Sequence, residues 1–310
     1  MNHLDKKLVE ECFRKARITG DLSNSSIIKY RDSIKKYFSL IYKNIENLDV
    51  EDFENFTIKM QDAGASNSRI ANVISAVKWL INNLQKNNMI KKTIDLDKII
   101  KPKIGKKEVN YLEEEEIIIF LDTIKQDESK GPEIRKYRSL AFVILLFQTG
   151  ARIGEVLSIN IDDIDWQNKE IQIIGKGNKP RTLILTDNTV ENIKNYLAMR
   201  KDKHEALFAS LSGKCRWQQT DAGRTFRRYK KLSGIKKKFT IHTLRHTFAT
   251  QYLMKGAGIN VVQTALGHSD PVTTLKYYAG AVNKAKVKEM INDKFFDFIP
   301  ESSLKNKATQ

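Results

Sequence analysis

The sequence predicts a mainly α chain with a minor β part (α+β): two helical domains, the second holding one small antiparallel sheet. Three observations support this. Across the first hundred residues, apolar side chains recur every three to four positions with almost no alternating stretch. Between residues 166 and 186 the pattern shortens to strand-like runs on either side of a Gly/Asn turn. Residues 91–110 interrupt the helical pattern with a Lys-rich, weakly periodic segment that contains Pro102 and Gly105. A chain of 310 residues is long enough for two domains, and its 41% hydrophobic content is enough for real cores. The expected division is a helical domain at 1–90, a linker at 91–110, a larger domain at 111–282, and a C-terminal helix and tail at 283–310.

Taken in order, a first helix is expected near Leu4 to Ala16. Ser25 or Ser26 is the expected N-cap of a second, whose Ile27, Tyr30, Ile34, Tyr37, Phe38 and Ile41 follow helical spacing. A shorter helix spans Asp52 to Met60. Asn67 or Ser68 is expected to cap a fourth, with Ile70, Val73, Ile74, Val77, Leu80, Ile81 and Leu84 on one stripe. Beyond the linker, helices are expected from Glu113 to Ile124 and from Pro132 to Gln148. Ile171, Ile173 and Ile174 then precede Gly175-Lys176-Gly177-Asn178, and Leu183, Ile184 and Leu185 follow it, which predicts a β-hairpin. Further helices are expected at Val190–Lys201, Asp221–Leu232, His242–Lys255, Ile259–Leu266 and Val287–Phe298.

The charge narrows the function. Lys+Arg number 54 against 37 Asp+Glu, a net of +17, which points to a polyanionic partner. The first hundred residues carry a net of only +4, and Lys214 to Lys238 holds ten Lys/Arg opposed by Asp221 alone. Two basic domains on a Lys-rich linker favour duplex nucleic acid over a membrane surface, where a single basic amphipathic helix is expected. Cys12 and Cys215 cannot build a disulfide framework, and no spacing resembles a zinc site. No apolar run approaches the roughly 18–20 residues of a membrane span, and Met1 to Glu10 lacks a signal-peptide core. These points argue against secreted, membrane-spanning and zinc-stabilised classes. A soluble protein of a reducing compartment is expected, cytoplasmic and associated with the nucleoid.

One set of residues suggests chemistry. Arg152 lies in TGARIGEVLSI and Lys176 on the hairpin turn. His242 and Arg245 lie three apart in HTLRHTFAT, on one helix face. His268 follows in LGHSD, and Tyr277 comes nine residues later, beside Tyr278. Two arginines can grip phosphate oxygens with forked hydrogen bonds and neutralise charge that grows in phosphoryl transfer. A tyrosine hydroxyl, with an ordinary pKa of roughly 10, needs help to attack. Imidazoles can exchange protons with it, and a lysine held on a turn can protonate a leaving oxygen. Singly, each residue has a plainer reading. Arg152 could be a surface cation paired with Glu155 at i+3. Lys176 could be a turn lysine, with Lys179 and Arg181 as competitors. His246 could be a satisfied core or surface imidazole.

The set Arg, Lys, His-x-x-Arg, His, Tyr in this order, with GKGNKPR and LGHSDPVTTLKYY around it, resembles the tyrosine recombinase or phage integrase family, and Xer-type members especially. The likeness covers roughly residues 110–280, and more loosely Leu22 to Leu84, which resembles the family's core-binding domain. It implies a C-shaped clamp on DNA. Arg152 and Arg245 would bind the phosphate, Lys176 would be general acid to the departing 5′ oxygen, His242 and His268 the site imidazoles, and Tyr277 the nucleophile. The implied product is a 3′-phosphotyrosyl enzyme, resolved through a Holliday junction by four protomers or with a related second recombinase. No metal and no cofactor are expected. The partner is duplex DNA with a two-armed core site. The helical region begins almost at Met1, so a preceding arm-binding domain is not expected, which favours replicon dimer resolution over integration of a mobile element.

Arg224, Arg227, Arg228 and Lys231 are expected on a DNA-facing helix. Val287, Met290, Ile291, Phe295 and Phe298 form an apolar stripe expected to dock on a neighbouring protomer. Two rivals stay open at this point: a DNA-binding regulator with a silent catalytic fold, and a type IB topoisomerase.

Overall fold

The computed structural model describes residues 3–105, 110–129, 131–175 and 180–267. Lys176, His268, Tyr277 and the stripe from Val287 to Phe298 lie outside the described residues. The chain divides into two compact units, Met1–Lys107 and Glu108–Gln310.

Among the described residues, unit one holds four α-helices: α1 (His3–Thr19), α2 (Asn24–Phe38), α3 (Val50–Asp62) and α4 (Asn67–Lys86). The α4 stripe lies as the spacing predicts, and all seven of its residues are buried. Phe13 stacks on Trp79 at 5.5 Å, and Tyr37 packs against Phe53 and Phe56 at 5.1 and 4.8 Å. The caps sit one to three residues earlier than expected. Ser23 caps α2, its hydroxyl accepting from the Ser26 N–H at 3.2 Å, and Ser66 caps α4. Asp49 and Asp52 form a reciprocal capping box that starts α3 at Val50. The expected linker is in part built into this unit. Ile94 and Ile99 are buried in its core on either side of a 3-10 turn, Leu96–Lys98. Asn67 reaches the Lys103 carbonyl at 2.8 Å.

Unit two is built around α6 (Ile134–Thr149), which packs on α5 (Glu114–Lys125), α8 (Asp187–Ala198) and α10 (Ile241–Met254). Ala141, Phe142, Leu145 and Leu146 are its buried face, with Phe142 edge-on to Phe208 and Trp217. Phe120 of α5, Phe226 of α9 (Gln219–Leu232) and Phe239 form a second aromatic cluster. Arg138 is buried over the Trp217 ring at 3.9 Å and donates to the Ala209 carbonyl; burial pushes its pKa down to about 10.

The sheet has three antiparallel strands in sequence order: β1 (Ile164–Asp165), β2 (Glu170–Ile174) and β3 (Pro180–Ile184). Ile171 pairs with Leu183 and Ile173 with Arg181, so those four side chains share the inner face. Ile174 and Ile184, expected as strand residues, lie on the exposed face. The periodicity did not reveal α7 (Ile153–Ser158), a six-residue helix shorter than two turns. The chain closes its described part with α11 (Ile259–Leu266), at the expected bounds. Among the described residues no helix is long and apolar enough to cross a membrane.

Candidate active site

The site begins where α6 stops. Gly150 ends α6 in the left-handed conformation at φ 60°, its N–H bonded to the Leu146 carbonyl. Two residues on, Arg152 is the N-cap of α7. Its N–H donates to Glu155 Oε2 at 2.7 Å and its Nη1 to Glu155 Oε1 at 2.8 Å. The i+3 pairing suggested by the sequence is therefore present. Glu155 is buried, and Arg181 of β3 brings a second guanidinium to it, Nη2 to Oε2 at 2.7 Å. Burial alone would raise the Glu155 carboxyl. The bonds from Arg152 and the charge and hydrogen bond of Arg181 outweigh it, and the group sits below its ordinary range.

Arg245, on the second turn of α10, is 7% exposed. Its Nη1 donates to the Gly150 carbonyl and its Nη2 to the Leu266 carbonyl, each at 2.6 Å. Arg181 Nη1 donates to the carbonyl of Ala265. Two arginines from different elements thus close the carbonyl end of α11, where the helix dipole favours cations. The next residue, Gly267, turns left-handed at φ 62° and leads to His268.

His242, three residues before Arg245, is exposed on the first turn of α10; Thr240 and Thr243 form the capping box that starts that helix. His246 lies one turn further, half-buried. Burial, then the nearby His242 and Arg245, lower its pKa and favour the neutral imidazole. Of the six expected site residues, the structure therefore places Arg152, His242 and Arg245. Through Arg245 it ties the approach to Arg152 to the end of α11, and Arg181 ties that end to β3.

Arg181 is the site residue that sequence reasoning missed, having been weighed only as a competitor of Lys176. Strand parity was the available signal: Arg181 lies two residues before Leu183 and so shares its inward face, and an inward charge needs a partner. On α9, Arg224, Arg227 and Lys231 are exposed, Arg224 beside Asp221 at 2.8 Å. Arg228 departs from the expected DNA-facing set. Its fork is taken by both oxygens of Asp127 at 2.8 Å and by the Ser129 hydroxyl at 2.6 Å, and Tyr229 also donates to Asp127. The bond from Arg228 outweighs the burial of Asp127 and holds its carboxyl well below the usual range. Among the described residues no group of His, Cys, Asp and Glu could hold a metal ion.

Known proteins resemble this chain in sequence and in fold. Residues 110–284 match the phage integrase family model. The tyrosine recombinase XerD of Staphylococcus haemolyticus (strain JCSC1435) is 31% identical over 296 residues, covering 92% of this chain and 97% of the relative. The XerH site-specific recombinase in a post-cleavage complex with palindromic difH substrate shares the fold, with a TM-score of 0.73 and 24% identity over 94% of this chain and 85% of that one. Its pre-cleavage complex with difH gives a TM-score of 0.67 at 26% identity, over 88% and 80%.

Proposed function

The chain belongs to the phage integrase family and is a tyrosine recombinase, and from that premise we propose that it breaks and rejoins duplex DNA at a specific two-armed site. In the proposed step the Tyr277 hydroxyl oxygen attacks the scissile phosphorus and the bond to the 5′ oxygen breaks. The phenol proton passes to a site imidazole, and Lys176 protonates the departing 5′ oxygen. Arg152 and Arg245 neutralise the non-bridging oxygens as charge builds on them. The phosphotyrosine conserves the bond for rejoining, so the step as drawn calls on no metal or nucleotide.

The observation that carries this reading is the Arg245 bridge. One buried guanidinium holds the carbonyl two residues before Arg152 and the carbonyl two residues before His268. Segments more than a hundred residues apart in sequence are thereby fixed at one place. On α9, Arg224, Arg227 and Lys231 are assigned to phosphate contact, and Arg228 to anchoring the helix on the α5–α6 loop. We assign strand exchange to four protomers through a Holliday junction, with the stripe from Val287 to Phe298 as the contact between neighbours. The biological role that fits the XerD likeness is resolution of replicon dimers and chromosome partition, in the cytoplasm.

Covalent capture tests this. The protein is incubated with sheared DNA of its host, denatured with detergent, and the DNA ends bound to it are sequenced. Enrichment of one short site with two inverted arms at a single chromosomal position is expected. Sites at the ends of mobile elements would replace dimer resolution by integration, and absence of covalent DNA would overturn the reading.

A further inference from the structure

We infer that Arg181 is a positioning residue for DNA cleavage: anchored at the end of α11, it holds Arg152 through the Glu155 carboxylate they share. The inference rests on the proposed role of Arg152 at the scissile phosphate.

Arg181 is the third functional arginine of this region, and its two bonds run to two different elements. Nη2 shares Glu155 Oε2 with the Arg152 N–H, while Arg152 Nη1 takes Oε1. With both oxygens held from two sides, the carboxylate plane is fixed, and the Arg152 guanidinium is aimed by it. Nη1 reaches the Ala265 carbonyl, one residue from the carbonyl that Arg245 holds. The strand that carries Arg181 also pairs with β2 along its length. One side chain therefore ties the β2–β3 pair to the Glu155 carboxylate that holds Arg152 and to the end of α11.

Two features argue for orientation over stability. A buried ion pair adds little net stability, and an apolar residue packed on the inner face beside Ile173 and Leu183 would serve the core at least as well. The helix end is also shaped for this arginine. A Cβ on Gly267 would lie 2.9 Å from Arg181 Cδ and 3.2 Å from its Nε, so glycine leaves the channel in which the stem runs. The side chain is 12% exposed, and its buried Nε has no hydrogen-bond partner among the described residues. Its fork is spent on aiming other groups.

The test uses the full chain and a nicked duplex carrying the captured site, with either a normal scissile phosphodiester or a scissile methylphosphonate. The methylphosphonate lacks one of the charges that Arg152 would neutralise, so a defect in aiming Arg152 matters less on it. For Arg181→Gln the expected result is single-turnover cleavage of the phosphodiester slowed by roughly 10–100-fold. DNA affinity should change by less than about twofold, and cleavage of the methylphosphonate should come within about threefold of the unmutated rate. Arg181→Lys, which keeps a cation but not the fork, should fall between; it also carries the test if the Gln variant does not fold. Adding Arg181→Gln to Glu155→Gln should slow cleavage little beyond Glu155→Gln alone, since both act through one carboxylate. Equal loss on both substrates would mean a merely structural role. Additive loss in the double variant would mean that Arg181 acts independently of Glu155. Either result overturns the inference, as does cleavage at the unmutated rate. If the unmutated chain forms no covalent adduct at all, the recombinase reading fails first and takes this inference with it.

Discussion

Gly150 is where fold and chemistry meet, and Gly150→Ala is the perturbation whose cost the structure defines most clearly. At φ 60° an alanine pays a left-handed penalty of about 1–2 kcal/mol. Its Cβ would also stand 2.6 Å from Phe248 Cδ1 and 2.9 Å from Leu266 Cδ2. Both neighbours are buried in the small cluster of Phe248, Ala249, Leu253, Val262 and Leu266, so neither can swing aside without opening it. Overpacking of this kind costs about 1–3 kcal/mol. The sum, about 2–5 kcal/mol, corresponds to a fall in Tm of about 4–20 °C for a unit of this size. Relief of the clash moves the Gly150 carbonyl away from Arg245 and Leu266 away from Gly150, so both Arg245 bonds loosen. Thermal melting followed by circular dichroism measures the first effect, and cleavage of the captured site below the melting range measures the second. A Tm within about 1 °C of the unmutated protein, or full cleavage in a destabilised variant, would refute this account of the turn.

Arg152→Lys should reduce cleavage on the order of 10²–10³-fold with little loss of DNA affinity, because a lysine lacks the fork; rapid-quench cleavage beside a binding titration separates the two. Asp127 has a depressed folded pKa, so its contribution is complete above the unfolded value near 3.9 and is lost as pH falls through the folded one. Melting measured from about pH 5 down to about pH 2 should therefore fall less steeply for Asp127→Asn than for the unmutated chain. At neutral pH that variant should lose about 1–3 kcal/mol, toward the lower end because Arg228 is one-third exposed to screening solvent. If about 6–10 phosphates are neutralised per protomer, affinity should drop by roughly 10³–10⁵ between 50 and 200 mM salt, and a flat titration would assign the charge surplus to solvated surface.

What could be read from the sequence depended on how local its cause was. The α4 stripe and the two hairpin strands were legible because seven residues on one period, or short apolar runs on either side of a Gly/Asn segment, repeat a signal. The Arg152–Glu155 pair was legible because i+3 contacts are set by helix geometry. The helix starts slipped because Ser23, Ser25 and Ser26 can all cap, and tertiary packing chooses among them. Ile94 and Ile99 were hidden by their Lys-rich surroundings and by a five-residue spacing that belongs to neither period. Arg228 shares a helix with Arg224 and Arg227, and only the approach of Asp127 from 101 residues upstream separates their roles. The reach of Arg181 to a carbonyl 84 residues away left no trace beyond the inward parity of its strand.

The proposed chemistry requires that this chain join itself to DNA through one tyrosine. The captured adduct should be digested with nuclease and protease, and the peptide covering residues 266–286 sequenced by mass spectrometry. A nucleotide remnant is expected on the Tyr277 oxygen. Tyr277→Phe should keep DNA affinity and form no adduct, while Tyr278→Phe should still form one. A remnant on Tyr278 would shift the nucleophile by one residue, and an adduct on another residue type, or one that survives in a chain lacking both tyrosines, would overturn the tyrosine chemistry.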